Sequence, residues 1–170
     1  MKRLTVILLL LVGALQAAAQ NNAYGIDDEC FEYFSKAEMV VADVDNPEFD
    51  EAMSKLLDAA VRKNDKKAQT LYYVELLKRA SRQGNLAPES EREYWNEQMD
   101  TRGRELREIA LATGYKQYYY YAYNLCQTYY YNTGQDVVAG ELFAQLMQEA
   151  YETSDEYALW KSLGYLAQLY

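Results

Sequence analysis

The chain has 170 residues, a formal net charge of -9, 18 tyrosines, two cysteines and no histidine. The missing histidine excludes a Ser-His-Asp triad, a Cys-His pair and a histidine-bearing zinc site, and two thiols are too few for an all-cysteine one. Nucleic acid is excluded as a partner on electrostatic grounds, because its binding depends on neutralising phosphates and this surface is acidic.

The chain opens MKRLTVILLLLVGALQAAAQ, with Lys2 and Arg3 before an apolar run from Leu4 to Leu15 and then the small residues Ala17, Ala18 and Ala19. This is the pattern of a secretory signal peptide, residues 1–19, cut after Ala19. The run is shorter than the roughly 20 residues that span a bilayer, and no later run approaches that length. Cys30 lies well downstream of the cut, which argues against a lipid-modified N-terminus. The expected mature chain, residues 20–170, is periplasmic or secreted, has no membrane span, and carries a charge of about -11 once Lys2 and Arg3 are lost.

The first stretch after the leader, DDECFEYFSKAEMVVA, reads as a helix. In NPEFDEAMSKLLDAAV, Asn46 can cap and Pro47 can open a helix whose stripe is Phe49, Ala52, Met53, Leu56, Leu57 and Ala60. Its flanking carboxylates, in DVDNPEFDE, superficially resemble a calcium loop. The glycine expected at the sixth position is missing and Ser54 stands where the closing glutamate belongs, so they read as charges at a helix N-terminus. KKAQTLYYVELLKRAS is apolar most of the way round, the mark of a helix covered on more than one side. Glu89 to Thr113 keeps Trp95, Met99, Leu106, Ile109 and Ala110 in helical register, with Gly103 weakening the middle and allowing a bend. Asp136 to Glu152 is again one-faced, through Ala139, Leu142, Phe143, Leu146, Met147 and Ala150. Joints are expected at Asn64-Asp65, Gly84-Asn85, Gly114 and Gly134. The alternation of one-sided and two-sided helices predicts an all-α fold of stacked antiparallel hairpins.

Residues 115 to 131, YKQYYYYAYNLCQTYYY, hold nine tyrosines. At 100° per residue, Tyr115, Tyr118, Tyr119, Ala122, Leu125, Cys126 and Tyr129 share a face assigned to packing. Tyr120 and Tyr131, with Tyr121 and Tyr123 nearer the boundary, are left among Gln117, Asn124, Gln127 and Thr128 as a polar-aromatic face. NLCQTYYYNTG aligns with GYLAQLY at an offset of 41 residues, Leu125 on Leu166, Cys126 on Ala167 and Tyr129 on Tyr170, a period in the solenoid range.

The order large apolar, small, then tyrosine three further on resembles the first helix of a tetratricopeptide repeat. Beyond the general repeat, KNDKKAQTLYYVELLKR, GYKQYYYYAYNLCQTYYYNTGQ and EYALWKSLGYLAQLY are similar to the exported, tetratricopeptide-like N-terminal regions of Bacteroidetes signalling proteins, many of them sensor histidine kinases. The expected chain departs from that family in having no membrane span and no kinase. The resemblance implies a short tetratricopeptide-like solenoid over residues 20–170, its last repeat incomplete, whose first helices line a concave groove. Tyr120, Tyr123, Gln127 and Tyr131 would lie in that groove with Lys161 and Gln168 of the next unit.

The expected role is therefore binding, not catalysis: a module for a peptide or protein partner in extracytoplasmic signalling, without metal or cofactor. Carbohydrate capture by the aromatic face is the alternative, and an all-helical hydrolase with paired carboxylates a third. In the last stretch, Leu159, Trp160, Leu163, Leu166, Leu169 and Tyr170 lie on more than one side of a helix. This implies a truncated sensor, or a surface covered by a partner or a second copy. Cys30 and Cys126, on first helices two units apart, are expected to stay unbridged.

Overall fold

The structure, a computed structural model, describes residues 22–157. The expected signal peptide and the apolar C-terminal stretch, with the counterpart of the tyrosine helix expected 41 residues further on, lie outside them. Six α-helices follow one another among the described residues: α1 (Asp28–Val40), α2 (Glu48–Arg62), α3 (Lys66–Leu86), α4 (Arg92–Thr113), α5 (Lys116–Asn132) and α6 (Asp136–Glu152), with a 3₁₀ turn at Glu89–Glu91 before α4. The fold is all-α, and no helix among the described residues is long and apolar enough to cross a membrane.

The helices pair as hairpins, α1 with α2, α3 with α4 and α5 with α6. Each second helix also packs on the first helix of the next hairpin, and the first helices α1, α3 and α5 touch in sequence. This leaves α3 covered by α1, α2, α4 and α5, as its all-round apolar composition demands. One apolar core runs through the stack from Ile26 through Phe34, Leu56, Leu71, Leu77 and Leu106 to Tyr129 and Ala139.

Three of the connections share one geometry. Asp65 N–H bonds Ala60 O at 2.9 Å, Gln135 N–H bonds Tyr130 O at 2.8 Å and Asp155 N–H bonds Ala150 O at 2.9 Å, each closing a left-handed residue at Asn64, Gly134 or Ser154. These are Schellman closures, which satisfy helix-end carbonyls and turn the chain sharply. Asp65 then caps α3 by accepting from Ala68 N at 2.9 Å, while its other oxygen accepts from Asp27 N at 2.7 Å. One carboxylate thus aligns the starts of α1 and α3.

The joint expected at Gly84-Asn85 is not there. α3 continues to Leu86 and stops where Ala87, held extended by the following Pro88, leaves the helical region. Gly84 is buried within α3, and a Cβ there would stand 2.7 Å from the Tyr129 ring and 3.1 Å from Trp95 Cβ. Gly103 does the same in α4, where a Cβ would meet Cys126 Sγ at 2.6 Å, and α4 runs unbroken through it. Both glycines admit close helix approach. The first-helix starts, at Asp28, Lys66 and Lys116, are unevenly spaced because α3 and α4, at 21 and 22 residues, outgrow the other helices.

Candidate functional site

The tyrosine run is helical throughout α5, and three helices claim its faces. Toward α3 and α4, Ala122, Cys126 and Tyr129 are fully buried and Tyr118 and Leu125 half-buried, as the wheel predicts. Tyr129 donates to Asn96 Oδ1 at 3.0 Å, and Asn96 in turn bonds Gln135 at 2.8 Å, tying α4 to the α5–α6 turn. Tyr130 donates to Asp100 at 2.7 Å.

Toward α6 the sequence reading is corrected. Tyr120 and Tyr123, each 6 % exposed, and Gln127, at 4 %, are buried rather than open to a groove. Tyr120 and Tyr123 pack with Leu146 and Ala150 of α6. Tyr119 and Tyr123 both donate to Glu149, the latter at 2.9 Å, and the Arg107 guanidinium lies 4.6 Å over the Tyr123 ring. Tyr120 donates to Asp155, which also accepts from Lys116 at 2.6 Å. The physical reason is that α6 occupies a sector that a wheel with two packing neighbours leaves to solvent. Tyrosine fills it readily, since its ring packs while its hydroxyl finds a carboxylate.

These phenols are not activated. Burial, reinforced by the carboxylates Glu149, Asp155 and Asp100, raises the pKa of Tyr119, Tyr120 and Tyr130 far above 10.0, and burial likewise raises Tyr123. A phenol held protonated is a donor that fastens helices, not a base or nucleophile.

What stays at the surface of α5 is Gln117, Tyr121, Asn124, Thr128 and Tyr131, spaced four, three, four and three residues apart along one stripe. Tyr131 is 45 % exposed, and Tyr121 and Asn124 are half-buried. Of the four groove residues in the described part of the chain, only Tyr131 therefore keeps the exposure expected of it, while Lys161 and Gln168 lie outside the described residues. Gln117, Tyr121, Asn124 and Thr128 were already legible as members of a polar-aromatic face.

The acidic loop before α2 has a different role from the calcium loop it resembles. Arg79 of α3, 9 % exposed, reaches into it and donates to the backbone carbonyls of Val44 at 2.6 Å, Val40 at 3.3 Å, Val41 at 3.4 Å and Asn46 at 3.5 Å, and also to that of Asp43. Its guanidinium also stacks over Phe49 at 4.8 Å. A protein cation thus gathers the oxygens, and among the described residues no three acidic or thiol groups converge as a metal site. Asn46 caps α2 by accepting from Glu48 N at 2.9 Å.

Glu75 of α3 is 1 % exposed; Lys78 donates to one of its oxygens at 2.8 Å and the other has no partner. Lys78 also faces Glu38 at 3.8 Å, and Glu38 accepts from Tyr24 at 3.1 Å, so the cluster joins α1 to α3. Burial pushes the Glu75 carboxyl above its ordinary 4.5. Nothing in the local sequence marks this glutamate, because its burial comes from neighbouring helices.

Both cysteines are free and buried. Burial raises the Cys30 thiol to about 11 and the Cys126 thiol to about 12, far from the thiolate that reactivity requires. Comparison with family models, with curated proteins and with solved structures finds no match to this chain.

Proposed function

We propose that the chain is a tetratricopeptide-like binding module that docks a peptide or protein partner in signalling outside the cytoplasm. The observation that carries this reading is the Gln117–Tyr121–Asn124–Thr128–Tyr131 stripe, the one sector of α5 left polar and aromatic after α3, α4 and α6 have taken the rest. Its 15 residues, 117–131, run about 21 Å along the helix. An extended chain covers that in six or seven residues, at roughly 3.3 Å each. Tyr131, 45 % exposed, offers its ring to a partner's apolar side chains, Tyr121 adds the part of its ring not packed on the core, and the amides between them offer donors and acceptors to its backbone.

A stripe about 21 Å long suits an extended polypeptide better than a single sugar ring, which favours the peptide reading over carbohydrate capture at this place. Export rests on the leader-like residues 1–19, and signalling on the resemblance of the quoted stretches to sensor regions.

Peptides selected from a displayed library against residues 20–170 should lose about tenfold or more in affinity when Tyr121→Ala and Tyr131→Ala are combined. Unchanged affinity in that variant removes the face as a site. Mass spectrometry of the exported protein should find an N-terminus at Gln20.

A further inference from the structure

A concavity of about 400 Å³ lies between the loop before α2, the second half of α3 and the first turns of α4, away from the α5 stripe. Its volume falls within the roughly 300–1,000 Å³ of small-molecule sites. Trp95, Gln98 and Arg102 line it from one face of α4, Asp50 from α2 and Gln83 from α3. The Trp95 N–H donates to Glu91 at 3.2 Å; the indole is half-buried against the core and lines the cleft with the rest of its surface, and Tyr94, 54 % exposed, packs edge-on against it at 5.0 Å.

The polar groups decide the ligand class. Arg79 in the floor is already committed to loop carbonyls, as described above, so it adds no anion site. Asp45, Asp50 and Arg102, the last also paired with Glu105 at 2.8 Å, bring both signs of charge to the rim, which disfavours a ligand with strong net charge of either sign. Gln83 and Gln98 add amides, each a donor and an acceptor. A pyranose ring matches this lining: C–H groups on one face, and a rim of neutral hydroxyls that both donate and accept.

We propose that this cleft binds a neutral saccharide, with the sugar ring against Trp95 and its hydroxyls on Gln98, Arg102 and Asp50. The site is independent of the peptide face on α5 and stands or falls separately.

The test is an array of neutral di- and trisaccharides built from glucose, galactose, mannose, xylose and N-acetylglucosamine, followed by titration of the best binder. In a Trp160→Phe background, which leaves Trp95 as the sole tryptophan, that sugar should shift the emission saturably. Gln98→Ala combined with Asp50→Ala, both at the cleft rim, should weaken binding about tenfold while the helical circular dichroism at the assay temperature is retained. Calorimetry should show binding lost in Trp95→Ala. No binding across the array at about 10 mM, a bound sugar that leaves Trp95 emission unmoved, or a response to peptides but not to sugars overturns the proposal.

Discussion

At the scale of single residues, Glu75 is the most consequential side chain that the local sequence conceals. Its carboxyl is buried beside Lys78 with one oxygen unpartnered, and burial raises its folded pKa above the unfolded value. Between those two values the native chain holds a proton that the unfolded chain has lost, so stability falls as pH rises through that window and recovers as pH falls below it. Glu75→Gln removes the ionisation. Urea melts should show its stability relative to wild type greatest at pH 8 and declining toward pH 4; parallel profiles would mean the carboxyl is not desolvated in solution. Gly103 gives a second test at this scale. Alanine in place of glycine ordinarily favours a helix by about 1 kcal/mol, yet here a Cβ would collide with Cys126 Sγ. Overpacking of this kind costs about 1–3 kcal/mol, so Gly103→Ala should destabilise. Adding Cys126→Ala should return part of the loss, and a double-mutant cycle reads that coupling directly.

At the scale of elements, the connection between α1 and α2 depends on a helix that comes later in the chain. Arg79 serves five carbonyls of residues 40 to 46 and stacks on Phe49; three of them, Val40, Asp43 and Asn46, also accept a backbone N–H, while Val41 and Val44 receive the guanidinium as their donor. Arg79→Met would leave the Val41 and Val44 carbonyls without their guanidinium donor and should cost about 1–3 kcal/mol, measured by chemical denaturation. Arg79→Lys should recover little, because a compact ammonium lacks the planar fork that reaches several acceptors at once. A loss below about 1 kcal/mol for Arg79→Met would show the carbonyls satisfied by water instead. The helices themselves were legible from the sequence, Asp136–Glu152 to the residue, because one-faced apolar periodicity and capping residues are local properties. The Gly84-Asn85 joint was misread because a glycine that admits a neighbouring ring looks the same in sequence as one that turns a chain.

At the scale of the whole molecule, the tyrosines join helices that are distant in sequence. Tyr119 and Tyr123 meet Glu149, Tyr120 meets Asp155 and Tyr130 meets Asp100, so the α4–α5–α6 interfaces are stitched by phenol-to-carboxylate bonds. All four phenols have raised pKa values, through burial first and the carboxylates second. Above pH 10 an unfolded tyrosine gives up its proton while these folded ones keep theirs, so stability should fall steeply with rising pH in that range. Tyrosinate absorbance followed through an alkaline titration should rise in two stages, exposed phenols first and these four only as helical circular dichroism is lost. A single smooth titration with the helices intact would contradict the burial of these side chains.

Composition alone determined the absence of histidine chemistry and the acidic character of the chain, and periodicity alone determined the helical class and most helix limits, since each depends on residues within one or two turns. Tertiary structure decided which side of each helix is dry. A wheel shows that an apolar or aromatic sector must be covered but not how many neighbours cover it, and the arrival of α6 beside α5 is what moved Tyr120, Tyr123 and Gln127 from an expected groove into the interior. The same long-range packing placed Glu75 in the dry interior, put Arg79 among loop carbonyls, and brought Asp50, Gln83 and Trp95 to one cleft from three helices.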